Sequence, residues 1–132
     1  MFDFTELFDE RITSYGGEDT DMAIRLCQIF PDSLYFSFLP CSEHHHKREF
    51  NDFCKSMYEY GENNLKLLIK KHPQFIANIG GEYIRTIKGY LVFNPIIRII
   101  INLLESCTNN YWLKRYLIID SVIRGARQGY KK

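Results

Sequence analysis

The segment 95–106, which reads PIIRIIINLLES, constrains the fold more than any other part of the chain. Asn94 and Pro95 mark the start of a helix, because proline is favoured at the first helical position, where its missing N–H costs nothing. Three polar residues follow at steps of four and three, which places them on one face of that helix: Arg98, Asn102 and Glu105. Every other face is apolar, so the pattern predicts a buried helix at the centre of the fold.

The first quarter of the chain also shows helical spacing, with clear interruptions. A capping box at Asp3 opens a helix that runs to Tyr15 and stops at two glycines. Thr20 and Asp21 open a second helix, which Pro31 ends. The sequence leaves open whether the residues that follow, up to position 41, form a short helix or an extended connector.

Glycine, proline and asparagine divide the remainder into further helices. One spans residues 43–60 and is closed by Gly61, and Asn63 or Asn64 caps the next. The last one, 111–128, is capped by the residues just before it. Its spacing predicts an inward face formed by Trp112, Tyr116, Ile119 and Ile123.

These segments predict an all-α fold. A chain of 132 residues has the size of one domain. Hydrophobic residues make up 45% of it and aromatic residues 15%, a composition that excludes a disordered polymer. We predict a compact single domain, residues 1–132, in which six to eight short helices pack around a buried central helix at 95–106.

The net charge and the N-terminal sequence indicate the cellular location of the chain. The net charge of +1 gives no global attraction to nucleic acid or membranes. The opening MFDFTELFDER lacks the basic start and continuous apolar core of a secretory signal, and the longest apolar run is too short to span a bilayer. We therefore expect a cytoplasmic protein with no membrane partner.

Three adjacent histidines, His44, His45 and His46, raise the question of a metal site. Ser42 is a good helix cap, and residues that are adjacent on a helix point about 100° apart. The three imidazoles then diverge, whereas a tetrahedral zinc ion needs four converging ligands. The four cysteines are scattered without a CxxC pair. We predict no metal site.

Catalytic motifs are missing from the sequence, which contains no GxSxG, GxGxxG, phosphate-binding loop or HExxH. Glu105 and Asp120 lie on the last two predicted helices, and a carboxylate pair stays open as an alternative. Basic neighbours such as Arg98 and Arg124 favour ion pairs instead. We predict that the chain is not an enzyme and uses neither a cofactor nor a small-molecule substrate.

Acidic residues concentrate at the beginning of the chain. Residues 1–32 contain eight acidic residues against two basic ones, and the rest contains 15 basic against 8 acidic. An acidic face would speed encounter with a basic protein and help to cover its cleft, and exposed tyrosines would anchor the contact. The predicted partner-binding residues are Asp9, Glu10, Glu18, Asp19, Asp21, Tyr58 and Tyr60.

Basic residues favour an alternative function. They form an edge on the helix around Lys70 and recur along the last helix, as in domains that contact phosphates. Recognition of nucleic acid would depend on Lys70, Lys71, Arg124 and Arg127. The alternative is thus a nucleic-acid-binding or regulatory protein of a phage or mobile element, although the missing base-reading motif and modest charge speak against nucleic acid.

Two stretches, HHHKREFNDFCKSMYEYG and NNYWLKRYLIIDSVIRGARQ, carry a family resemblance. The chain resembles the small, aromatic-rich, all-helical immunity proteins of bacterial contact-dependent inhibition and other polymorphic toxin systems. The resemblance implies one-to-one binding of a cognate toxin domain, commonly a nuclease, by masking its active site or a neighbouring surface. It also implies that the chain has no cofactor and performs no catalysis.

Overall fold

The computed structural model of the protein describes residues 8–32 and 48–132. These residues form helices, turns and irregular segments, with no β-strand in either range, so the all-α class is confirmed. Short 3₁₀ turns occur at Pro73–Phe75 and Gly81–Tyr83. The α-helices are α1 (Glu18–Ile29), α2 (Phe50–Tyr60), α3 (Lys66–Lys71), α4 (Ile87–Val92), α5 (Pro95–Thr108) and α6 (Tyr111–Gly129).

A π-helical segment, Gly61–Leu65, joins α2 to α3 without a break. The prediction that Gly61 ends a helix is therefore wrong, and its backbone is right-handed helical (φ −60°, ψ −44°). The glycine serves close packing instead, because a Cβ atom there would collide with the carbonyl oxygen of Val122 on α6. The helix begins at Phe50, since Glu49 is extended, and the predicted start at residue 43 lies outside the described residues.

Residues 8–17 are irregular, so the prediction of a helix running to Tyr15 is wrong for the described part of that segment. Local polar contacts replace the helix. The Asp9 carboxylate accepts hydrogen bonds from the backbone N–H and the guanidinium of Arg11. The Asn64 side chain, which was predicted to cap a helix, is buried and donates to the carbonyls of residues 14–16. These bonds hold the irregular segment against the π-helical segment.

Helix α6 contributes more buried residues than any other described helix. It crosses α2 so closely that a Cβ atom on Gly125 would overlap the carbonyl oxygen of Tyr58. Its inner face joins the core cluster, which consists of Leu65, Ile84, Phe93, Ile123 and Ala126. The arginine one turn below Ile123, Arg127, donates to the carbonyls of Ile84 (2.9 Å) and Phe93 (2.8 Å) and so holds the segment before α5 against α6.

Helix α5 is not the buried centre of the fold, and this part of the prediction is wrong. None of its residues is buried. Its polar face is turned toward α6: the Arg98 guanidinium lies 2.7 Å from the Asp120 carboxylate, and Glu105 lies 3.7 Å from the Lys114 ammonium. Because α6 offers opposite charges, Arg98 and Glu105 pair with them, and the aliphatic residues on the other side of α5 face water.

Candidate binding surface

Five aliphatic side chains on one face of α5 are exposed to water. Their exposed fractions range from 48% for Leu104 to 71% for Ile96. They recur at i, i+3, i+4, i+7 and i+8, which keeps them on a single face. We call this surface the α5 stripe: Ile96, Ile99, Ile100, Leu103 and Leu104. Contiguous apolar surface of this kind marks interaction sites on soluble proteins.

A second exposed group lies at the start of α6, where Asn110 caps the helix by accepting from the backbone N–H of Trp112 (2.8 Å). Tyr111 and Trp112 are 66% and 68% exposed, and their rings meet edge to face at 5.4 Å. The Arg115 guanidinium lies 5.8 Å from the centre of the Trp112 ring. We call these three residues the aromatic anchor cluster.

The inward face predicted for α6 is therefore only partly right. Ile123 is buried and Tyr116 is half-buried, but Trp112 is exposed and Ile119 remains 38% exposed. The first buried residue of α6 is Leu117, so the first turn and a half of the helix precedes its packed part. Helical periodicity identifies a common face but does not show where along a helix its packing begins.

The structure buries some residues of the predicted acidic face and exposes others. Asp21 is completely buried and accepts from Arg25 (2.9 Å), Lys71 (2.8 Å) and His72 (2.8 Å). The Lys71 ammonium also bridges to Asp9 at 2.8 Å. We call these five residues the Asp21 cluster. Because Asp21 is enclosed, its assignment as a partner-binding residue is wrong.

The ion pairs of the cluster determine the protonation of its two acids. Burial alone would raise the pKa of Asp21, but hydrogen bonds from Lys71 and His72 outweigh it, so that the pKa lies below its usual value. Hydrogen bonds from Arg11 and then Lys71 hold the pKa of Asp9 far below its usual range. Both carboxylates are therefore charged at neutral pH, and they connect residues 8–25 to the end of α3.

The other predicted acids have different positions. Glu10 and Asp19 are exposed, and Glu18 is half-buried with a carboxylate oxygen, Oε2, that is buried and has no hydrogen-bond partner. Only Glu10 and Asp19 thus offer freely accessible negative charge. Asp9 lies largely beneath its basic neighbours, with 9% of its side chain exposed.

The two predicted tyrosine anchors also differ. Tyr60 packs into the fold against Gly16 and Gly17, and burial raises its pKa to about 12. It is not a surface anchor. Tyr58 lines an open cleft of about 620 Å³, where the Arg124 guanidinium lies 5.6 Å from its ring centre. Burial raises the pKa of the Cys54 thiol in the same cleft, so this cysteine is not an activated nucleophile.

Most of the basic residues proposed for the alternative function have partners within the fold. Lys71 belongs to the Asp21 cluster, Arg124 pairs with Asp120 (3.1 Å), and Arg127 donates to backbone carbonyls. Lys70 remains exposed. The pairing of Asp120 with Arg98 and Arg124, which the sequence favoured over a carboxylate pair, is confirmed.

Residues 8–32 and 48–132 contain neither a metal-binding cluster nor a membrane-spanning helix. Within those ranges no three histidine, cysteine or acidic side chains converge as a metal site would require. The triple histidine, Ser42 and Asp3 lie outside the described residues. No helix in the described part of the chain has both the length and the apolar character needed to cross a membrane.

The sequence matches no known protein family, and no curated protein or solved structure is significantly similar to it. The α5 stripe and the aromatic anchor cluster are therefore the main indications of function. The sequence analysis predicted neither surface, although the sequence contains one signal for the orientation of α5. Helix α6 carries charges opposite to those of Arg98 and Glu105, at Asp120 and Lys114, which would have indicated that this face of α5 is turned inward.

Proposed function

We propose that this chain binds another protein stoichiometrically and neutralises it, as the resemblance to immunity proteins implies, and that it does so in the cytoplasm. The observation that best supports this proposal is the exposure of Trp112, the single tryptophan of the chain. A soluble protein that keeps its one indole two-thirds in water forgoes the burial that normally stabilises such a ring.

The composition of the aromatic anchor cluster supports a protein partner. Tryptophan, tyrosine and arginine are the residues most enriched at the energetic centres of protein interfaces. Here they share the first turns of a rigid helix, so little conformational entropy is lost when a partner covers them. The exposed acids Glu10 and Asp19 could speed the encounter with a basic toxin domain. In this proposal, the contact energy comes from the aromatic anchor cluster.

The nucleic-acid alternative finds less support. Three of the four basic residues on which it depends are held by carboxylates or carbonyls inside the fold. Releasing them would sacrifice those internal contacts. A gel shift at low salt with mixed RNA and DNA tests it directly, and retardation that is lost in a Lys70→Ala variant would favour the alternative over our proposal.

The decisive experiment uses the protein encoded immediately upstream of this chain as the partner, and the proposal requires that protein to contain a toxin domain. We expect a one-to-one complex in light scattering, loss of the toxin's activity on complex formation, and a blue shift of Trp112 fluorescence as its ring leaves water. Trp112→Ala should weaken binding at least tenfold, because central aromatic anchors contribute about 2 kcal/mol or more. Ile87→Ala, on the 80% exposed Ile87 of α4, is the matched control and should leave affinity unchanged.

Two outcomes would contradict different parts of this proposal. Binding that is unaffected by Trp112→Ala would place the interface elsewhere on the chain. A toxin domain that stays fully active in the presence of excess chain would refute the neutralising function itself.

A further inference from the structure

The α5 stripe carries an inference that is independent of the proposed function. We propose that it is the interface between two copies of this chain, with the two α5 helices packed antiparallel about a two-fold axis near Ile100. In this arrangement the Ile96 end of one α5 lies over the Leu103 and Leu104 end of the other, and the two Ile100 side chains meet at the axis.

The spacing of the stripe suits helix–helix pairing. The interval from Ile96 to Leu104 covers about two turns, or roughly 12 Å along the axis. Apolar residues at this spacing form the seam along which paired helices interlock. A two-fold interface requires a self-complementary surface, and Ile100 stands midway between the two ends of the stripe.

The charges around α5 favour a second copy as the occupant. The stripe contains no charged residue, and the two ionic residues of α5, Arg98 and Glu105, pair with α6 on the opposite face. Two stripes therefore meet without like-charge repulsion and without burying an unpaired charge. The chain's formal net charge of +1 adds little long-range repulsion. Antiparallel α5 helices also place opposite ends of their dipoles side by side.

The available area sets the strength of this contact. The exposed parts of the five side chains amount to on the order of 500 Å² per copy, against about 800 Å² per partner in a standard stable interface. A dimer built on the stripe alone lies near the lower limit of specific association. It should therefore form and dissociate reversibly with protein concentration.

Sedimentation velocity of the full chain, from low micromolar to submillimolar concentration, tests the proposal. We expect the mass to rise from that of the 15.7 kDa monomer toward twice that value. Ile100→Glu, which places two carboxylates at the axis, should keep the chain monomeric throughout. Ile29→Glu on α1 is the matched control, because Ile29 is 53% and Ile100 51% exposed, and it should dimerise normally. Circular dichroism verifies that both variants fold.

Cross-linking tests the orientation of the two helices. In a Cys27→Ser, Cys41→Ser, Cys107→Ser background, Ile100→Cys should give a covalent dimer on mild oxidation, and the background alone should not. Ile96→Cys should not cross-link, because in the antiparallel pair it faces Leu103 and Leu104 of the other copy and not the second Ile96. Trp112→Ala should dimerise like the wild type, which separates this proposal from the toxin-binding one.

Three results would overturn the dimer. They are a wild-type chain that stays monomeric at the highest concentration, a dimer that survives Ile100→Glu, and an Ile100→Cys variant that forms no cross-link. Binding of the monomer to phosphatidylcholine or phosphatidylglycerol vesicles through the stripe would assign the surface to lipid instead.

Discussion

The Asp21 cluster and the α5 stripe depart from the usual distribution of side chains in opposite directions. In the cluster a carboxylate is completely buried, and in the stripe five aliphatic side chains are exposed. The buried acid is compensated inside the chain, because three basic side chains reach it within 2.9 Å. Within the described residues no comparable cover exists for the stripe. We infer that the cluster serves the fold and the stripe serves an interaction.

The largest expected effect concerns the cluster. Asp21→Ala removes the acceptor on which Arg25, Lys71 and His72 converge, and it leaves the positive charges of Arg25 and Lys71 partly buried. We expect the free energy of unfolding, measured by urea denaturation, to fall by about 3 kcal/mol, as for other broken buried ion pairs. Asp52→Asn, which removes an exposed acid that pairs with the exposed Lys55, is the control and should leave stability unchanged. Equal stability of the two variants would show that the cluster does not hold the fold.

A somewhat smaller loss is expected where α5 meets α6. Asp120→Ala removes the buried carboxylate that accepts from Arg98 (2.7 Å) and Arg124 (3.1 Å). We expect a loss of about 2 kcal/mol, together with faster hydrogen exchange in α5. Glu105→Gln weakens only the longer contact to Lys114 and should cost less. If α5 exchange is unchanged in Asp120→Ala, the ion pairs are not what orients the stripe outward.

Low pH should reduce the free energy of unfolding by less than Asp21→Ala does. The pKa values of Asp9 and Asp21 are lowered in the folded chain. Their contribution is therefore complete above the ordinary aspartate pKa of about 4 and is lost as the pH falls through the folded values. Denaturation between pH 5 and 2 should show a steeper loss for the wild type than for Asp21→Asn. Parallel curves would contradict the assigned charges.

The smallest effect is expected in the stripe itself. Leu103→Ser alters a side chain that is 65% exposed, so monomer stability should change by no more than about 0.5 kcal/mol at low protein concentration. Ile123→Ala, at a core position that is 1% exposed, should cost about 2–5 kcal/mol. A large loss for Leu103→Ser would mean that the stripe is covered within the chain, and the contrast with the cluster would disappear.

The sequence predicted several local features correctly and the long-range ones poorly. Asn94 caps α5 and Asn110 caps α6 as expected, because capping depends on neighbouring residues alone. The shared polar face of α5 was also recognised. The predicted burial of α5 was wrong because periodicity groups residues on one side of a helix without showing which side meets a neighbour. That choice depends on Asp120 and Lys114, which lie 22 and 9 residues beyond their partners Arg98 and Glu105.

Gly61 and Asp21 illustrate the same limit. Glycine after a helical run normally signals a stop, but at Gly61 the missing side chain permits contact with α6. An acid in an acidic segment normally faces water, but Asp21 has Lys71 and His72 opposite it, fifty residues further along the chain. Tertiary partners at such separations leave no mark in a local pattern.

The π-helical segment Gly61–Leu65 has one further consequence, for the rotational phase of the long helix that contains it. Its wider turn holds an extra residue compared with a regular α-helix. If the same residues wound as a regular α-helix, everything beyond the segment would be turned by about 100° relative to α2. Lys71 and His72 would then point away from Asp21, while α2 would still pack against α6. The extra residue in this turn thus sets the rotation of α3 that lets Lys71 and His72 reach Asp21.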